Sequence, residues 1–472
     1  GSSRFPQHSH WAFFPSASAG YRISQEKWFE PIRPIVSDAK IRASFGEIGN
    51  EAIGSNMFVS SISKKGDSYV YWTGDGTQKV SMYNMPSLVD ADLSWERIQT
   101  LDVGADLGFM NNDLKVTFDW YQRTTLDMLA PAASLPGVLG ATAPYTNNGT
   151  LRTRGWELAI DWHHVFGDLV VYANASVGDF KSKVTKWSND TKSLNSTYQG
   201  MTYGDIWGFE TDRLFTPEDF TGFDADGNPT GYAPGVPTQV GIQTGSFVYG
   251  PGDTKYKDLN GDGKIDGGEG TADNHGDLKV IGNTQPRYQC SFRLGGSWKG
   301  FDLDIFFQGI GKRDVWSQSA FVIPYYRGAD AIYSNQMDYW KGTFSGGKWT
   351  VTNADAEYPR LYAGNNGTGK VPGIDRGDKN FYPQSKWLSH MAYLRLKNLT
   401  FGYTLPQHLT RKIYLEKVRV YFSGENLFEL INNTNGAFDP EINTGDGSMS
   451  NGVFGRTDPM YRTISFGIQL TL

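Results

Sequence analysis

From residue 288 to 298 the even positions read Tyr288, Cys290, Phe292, Leu294, Gly296 and Trp298, and the odd ones Gln289, Ser291, Arg293, Gly295 and Ser297. Side chains alternate between the two faces of an extended strand, so this stretch predicts a strand with one oily and one polar face. Lys299 and Gly300 make a two-residue connection, after which Phe301, Leu303, Ile305 and Phe307 alternate with Asp302, Asp304 and Gln308. Two alternating runs across a tight glycine-containing turn are a β-hairpin. Each arm is about eleven residues, twice an ordinary globular strand and the length a tilted strand needs to cross a bilayer. The hairpin is long enough to sit in a membrane.

The same period recurs along the chain. A first strand is expected over residues 13–23, with Ala17, Ala19, Tyr21 and Ile23 on one face, and a second around Ile41, Ala43 and Phe45. Leu101, Val103, Ala105, Leu107 and Phe109 turn at Asn111, Asn112 and Asp113 into Leu114, Val116, Phe118 and Trp120. Residues 151–164 carry Trp156, Leu158, Ile160 and Trp162, and Gly167 and Asp168 lead into Leu169, Val171, Ala173, Ala175 and Val177. Beyond the central hairpin come residues 393–405, then Val418, Val420 and Phe422, and finally Ile464 to Leu472 in alternation. The total is about eleven strands, with a further small hairpin expected over residues 69–83.

Connections between these strands alternate strictly in length. Residues 24–39, 110–113, 165–168, 299–300 and 406–416 are short, whereas 48–97, 128–150, 185–287, 311–386 and 427–461 are long. An outer-membrane barrel has short periplasmic turns and long extracellular loops. With the short turns inside, the last strand runs inward and places the C-terminus in the periplasm. The first strand also runs inward, so a closed, even-numbered barrel requires an odd number of further strands ahead of Gly1. An open sheet would leave unpaired edges in lipid, and partner strands are therefore expected.

No run of eighteen apolar residues occurs, which excludes a membrane-spanning helix. The mean hydropathy of -0.46 decides nothing further, because a barrel shows lipid only alternate residues. Aromatic residues at 14% and 56 glycines favour strands and turns, and the single Cys290 excludes an internal disulfide framework. A net charge of -6 argues against nucleic acid as a partner. There is no Gly-x-Ser-x-Gly elbow and no His-Glu-x-x-His, and Asp302 and Asp304 sit on a strand's polar face, so no enzyme is expected. His8 and His10 lack the further ligands of a metal site and read as surface residues, while Cys290 reads as packing on the oily face.

One loop carries metal chemistry. Asp258, Asn260, Asp262 and Asp266 stand at positions 1, 3, 5 and 9 of a twelve-residue run, with Gly263 at 6, the Lys264 carbonyl at 7 and Glu269 at 12. That is the calcium-loop pattern, which wraps six to eight hard oxygens around one point. The flanking Gly252 and Gly270 and the lack of amphipathic helices speak for a structural ion stiffening an external loop. The other reading is an acidic turn without metal.

The run from Lys257 to Asp266, followed by Val280, Asn283, Pro286 and Tyr288, resembles the SusC-like TonB-dependent transporters of Bacteroidetes outer membranes. Further segments resemble them in the same order: Gly1 to Phe5, Phe14 to Ala17, Leu93 to Glu96, Asn147 to Gly149 with Arg154 to Glu157, Asp338 to Trp340 with Tyr358 to Arg360, Tyr393 to Leu399, and Ser423 to Leu427. The resemblance implies an all-β protein, a transmembrane antiparallel β-barrel of which residues 1–472 are the C-terminal half of a plugged barrel of about 22 strands. The calcium loop would lie near 253–282, outside the cell. The plug, the TonB box and the first strands would precede this part. Leu472 departs from the aromatic residue with which such barrels more often end.

What the resemblance implies about function is TonB-dependent uptake of glycans beneath a SusD-like surface lipoprotein, with TonB acting through the N-terminal part. Oligopeptides are the alternative cargo, and a passive porin or a secreted calcium-stabilised β-sandwich that binds or hydrolyses carbohydrate are readings of other classes. Trp187, Tyr198, Tyr203, Trp207 and Phe209 in the longest loop would either stack on sugar rings or pack the loop and its lipoprotein contact. No substrate-contacting residue is assigned from the sequence.

Overall fold

The computed structural model describes residues 1–54, 57–65, 70–72, 79–132, 135–243, 247–317, 322–324, 332–362, 378–434, 439–441 and 458–472. Its eleven long strands are β1 (Ser16–Tyr21), β2 (Val36–Asn50), β3 (Glu96–Phe109), β4 (Leu114–Pro131), β5 (Tyr145–Phe166), β6 (Leu169–Lys186), β7 (Arg287–Trp298), β8 (Phe301–Lys312), β9 (Tyr393–Thr404), β10 (Lys417–Asn432) and β11 (Thr463–Thr471). They share one sheet in which every strand lies beside its predecessor in the chain. The β-sandwich reading needs two packed sheets of short strands, and it is set aside.

The hairpins have the expected register. Trp298 pairs Phe301 and Phe292 pairs Phe307 across β7 and β8. Lys299 and Gly300 both take positive φ, 46° and 93°, as the two central residues of a type I′ turn must. β1 is shorter than the alternation suggests. Pro15 has no N–H to give a ladder and stands just before it, and residues 1–14 leave the sheet to cover Trp95. Phe5 and Phe14 pack on that indole, whose Nε1 donates to the Ser9 carbonyl at 2.9 Å. The small hairpin is present as Val70–Trp72 paired with Lys79–Ser81. Most of the expected loop 427–461 beyond β10 lies outside the described residues.

Residues 1–159 and 179–203 form one compact unit, and residues 160–178 and 204–472 another. In the second unit the long connections build a core of their own from Phe209, Phe215, Phe220, Ile242, Phe247, Tyr249, Tyr256 and Ile265. Short ribbons frame it: Asp205–Phe209 pairs Leu278–Asn283, Thr211–Leu214 pairs Thr254–Tyr256, and Asp314–Trp316 pairs Leu388–His390. Buried amides close the backbone ladder where these ribbons stop. Gln239 donates to the Thr254 carbonyl at 3.0 Å and accepts from the Tyr256 N–H at 2.6 Å, and Gln384 donates to the Asn380 carbonyl at 2.7 Å.

Candidate transport face and its long connections

Alternation gives the long strands two unlike faces. On the oily face Phe292, Leu294, Trp298, Phe301, Leu303, Phe401, Phe466 and Ile468 are all exposed, Phe466 to 81%. Apolar surface of this extent is costly in water and free of cost in hydrocarbon. Exposed aromatic side chains mark the strand ends. Tyr21, Trp298 and Phe301 stand at short connections, and Tyr145, Tyr288 and Tyr461 at long ones, as aromatic girdles do at the two interfaces of a membrane barrel.

The opposite face is polar and ion-paired, and strand-interior glycines make its pairs possible. Arg42 of β2 faces Gly104 of β3, which faces Asp119 of β4. A Cβ on Gly104 would stand 2.3 Å from Asp119 Oδ1 and 2.8 Å from Arg42 Cζ. With no side chain there, the Arg42 guanidinium lies flat across the strand and reaches Asp119 at 2.7 Å, with Asp106 at 3.3 Å and Asp102 at 3.5 Å. The second unit repeats the device. Arg419 of β10 crosses Gly402 of β9 to Asp302 of β8, its Nε 2.9 Å from Asp302 Oδ1. Tyr172 of β6 crosses Gly295 of β7 to donate to Asp304, which also accepts from Arg293 Nε at 2.7 Å. Glycine inside a strand signals close approach of another group, and these three admit a charged or phenolic side chain.

Near the long-connection end of the same face Arg395, its side chain only 4% exposed, is enclosed by Glu429, Asp439 at 2.6 Å and Glu441 at 2.5 Å. Lys397 holds Glu441 as well, at 2.8 Å. Two bulges in the β9–β10 ladder, at Leu394/Arg395 and Leu396/Asn398, re-aim these side chains. The acidic pair Asp439 and Glu441, from the connection after β10, is thereby fixed to the strands.

In the loop core the fully buried Asp253 accepts from the Gly250 N–H, from Asn380 Nδ2 and from the Tyr362 hydroxyl, each at 2.8 Å. Burial raises its pKa to about 6, against the opposing pull of Arg360 and these donors. The carboxylate thus ties the connection between β6 and β7 to the connection between β8 and β9. Lys257 and Lys279 act the other way on Glu210, which they hold down to about 2.

The expected calcium residues are split. Asp258 accepts from the Gly261 and Gly263 N–H groups at 2.6 and 2.8 Å, Asn260 from Asp262 N–H at 2.9 Å, and Asp262 from Lys264 N–H at 2.8 Å. These three share one tight wrap, with Gly261 and Gly263 at φ of 78° and 79°, where only glycine is unstrained. Asp266 turns instead to the Gly268 N–H at 2.8 Å, and Glu269 is exposed. Among the described residues no group of three or more His, Cys, Asp or Glu side chains is placed to hold a metal ion. Ile265, fully buried, and Asp277, which accepts from the Leu259 and Asp266 N–H groups at 2.7 and 3.0 Å, pin the loop from beneath.

Of the five loop aromatics, Phe209 belongs to the core against Tyr256 and Tyr382, Tyr198 is buried, Trp207 packs on His275, Trp187 covers Gly149, and Tyr203 alone is open, at 48%. Asp253, Asp277 and the acids around Arg395 were not singled out by sequence. Their partners lie far along the chain, and only the polar-face glycines carried a local signal.

Residues 1–427 match the family described as TonB dependent receptor-like, beta-barrel. TonB-dependent receptor P3 of Formosa agariphila is 26% identical over the whole of this chain, which covers 43% of that protein. TonB-dependent receptor SusC of Bacteroides thetaiotaomicron is 25% identical over 94% of this chain and 39% of its own length. Among solved structures, the RagAB peptide transporter shares the fold at a TM-score of 0.66 and 22% identity, covering 99% of this chain and 44% of that one. The chain spans less than half the length of these relatives. By the match over residues 1–427 it belongs to the TonB-dependent receptor-like β-barrel family.

Proposed function

We propose that this chain is the C-terminal part of the barrel of a TonB-dependent outer-membrane importer that takes up oligosaccharides. The observation that carries the reading is the two-faced sheet, exposed aromatic and aliphatic side chains on one side and glycine-bridged ion pairs on the other, in a chain of this family. In the arrangement proposed, the strands complete a barrel of about 22 with an N-terminal part that brings the plug and the TonB contact. The long loops face outward beneath a SusD-like lipoprotein, and the C-terminus is periplasmic. The polar face gives a hydrated cargo hydrogen-bonding groups, and its flat ion pairs keep the wall low.

Oligopeptides are the second reading, favoured by the fold shared with a peptide transporter. Disrupting the gene and supplying defined oligosaccharides or peptides as sole carbon source separates the two. Loss of growth on oligosaccharides alone supports the first reading, and loss on peptides alone the second. Unchanged uptake of both, with the protein absent from the outer membrane, refutes the importer.

A structural calcium ion at Asp258, Asn260, Asp262, Lys264, Asp266 and Glu269 belongs to the same proposal. That Asp258, Asn260 and Asp262 share one tight wrap supports it, while Asp266 and Glu269 would have to turn inward. Calcium at about 1 mM, a concentration suited to extracellular sites, should slow tryptic cleavage after Lys264 where equal magnesium does not. Identical rates in both would remove the ion.

A further inference from the structure

At the outer end of the β7–β8 hairpin, Arg313 is drawn into the fold without an acid to meet it. Its side chain is partly buried, and among the described residues its guanidinium makes one hydrogen bond, from Nε to the Thr284 carbonyl at 3.2 Å. Beside it Met391 and Tyr393 are buried, and the Met391 N–H donates to the Arg313 carbonyl. Three other guanidinium groups that lie against the fold meet carboxylates: Arg213 meets Asp219 at 2.6 Å, Arg42 meets Asp119 at 2.7 Å and Arg395 meets Asp439 at 2.6 Å. The acid next in sequence, Asp314, is 2% exposed and committed to His390 at 2.7 Å and to the Asn283 N–H at 3.2 Å. Burial is the largest influence on the Arg313 guanidinium and lowers its pKa, and no carboxylate raises it.

Both Nη groups of Arg313 lack a partner among the described residues, yet neither is among the fully enclosed unpaired atoms. They therefore reach solvent. Arg287 and Lys312 pair in register at this same end of the hairpin, which places two further basic residues on the strand ends beside Arg313. A partly buried guanidinium whose two Nη groups open to solvent is the geometry that receives a planar or tetrahedral oxyanion in two-point contact.

We propose that Arg313 is a binding site for an anionic group, a carboxylate, sulfate or phosphate, presented from outside the chain. Two sources share that chemistry, the acidic sugar of a cargo glycan and the phosphate of an outer-leaflet lipid. The two sources rest on the proposed function, but occupancy of the guanidinium is measured without transport, so failure of the one is distinguishable from failure of the other.

The test is arginine-selective modification by phenylglyoxal, followed by peptide mass spectrometry, on the complete transporter extracted from outer membranes and delipidated in detergent. Arg313 should react in chloride and react about fivefold more slowly in sulfate at equal ionic strength, as expected for a charge-assisted two-point contact, while the exposed Arg411 reacts equally in both. Lipid A and a trigalacturonate are then compared. Protection by lipid A alone assigns the site to lipid phosphate, and protection by the trigalacturonate assigns it to an acidic glycan. An Arg313 that never reacts, or that reacts equally in chloride, sulfate, lipid A and trigalacturonate, overturns the proposal.

Discussion

Asp253 makes the stability of the long connections depend on pH in an unusual direction. Its folded pKa of about 6 lies above that of an unfolded aspartate, so the folded loops bind the proton more tightly than the unfolded chain. Stability is therefore greatest in mild acid and falls as pH rises from about 4 to about 6, above which it levels off. Between pH 5 and pH 7.5 the folded carboxylate loses nearly one proton that the unfolded one has already lost, which is about 1.4 kcal/mol or tenfold in the opening equilibrium. Hydrogen exchange followed by mass spectrometry, corrected for intrinsic rates, should show the peptides around residues 250–256 and 378–384 about tenfold better protected at pH 5 than at pH 7.5. Asp253→Asn removes the titrating proton and should flatten that profile. It also sets an amide NH2 against the Gly250, Asn380 and Tyr362 donors, so its protection should be uniformly low. Protection in the parent protein that is constant over this range, or higher at pH 7.5, would refute the reasoning.

Gly402→Val would force a side chain into the space filled by Arg419 and Asp302. It should cost about 1–3 kcal/mol by overpacking, read as a lower temperature at which the folded band is lost in heat-modifiability gels. Asp277→Ala leaves the Leu259 and Asp266 N–H groups without their acceptor, a loss of about 1–3 kcal/mol for each that stays buried. Faster exchange confined to residues 258–268 checks it. Ile265→Ala empties a fully buried position at about 2–5 kcal/mol, and the rate of tryptic cleavage at Lys264 should rise accordingly.

The long strands were legible because each is a local pattern. Period-two alternation from Tyr288 to Phe307 states both the strand and its face, and a one-residue slip would turn Phe292 and Leu294 inward. The alternation of short and long connections followed from the same runs. The long connections resisted for the opposite reason. Asp205–Phe209 pairs with Leu278–Asn283 across some seventy residues, and neither segment alternates cleanly. The environment of Asp253 is assembled from Gly250, Tyr362 and Asn380, three separate stretches. In the metal loop, spacing named the oxygens, but side-chain direction is set by neighbours such as the Gly268 N–H. Phe209 and Tyr198 show the converse, since an aromatic in a polar loop reads alike whether it awaits a sugar or fills a core.

Every long strand of the sheet lies beside the one that precedes it in the chain, and this order bears on how the sheet is made. A strand leaving synthesis finds its template already laid, and no segment needs to thread past another. The hundred-odd residues between β6 and β7 raise the closure entropy only logarithmically, by about 0.6 kcal/mol per doubling of length. Relative to a two-residue turn that is some five or six doublings, about 3 kcal/mol. The aromatic core of those residues offsets such a cost within the loop itself. Assembly can thus proceed hairpin by hairpin along the chain, while the long connections are free to lengthen and diversify without disturbing the order in which the sheet is built.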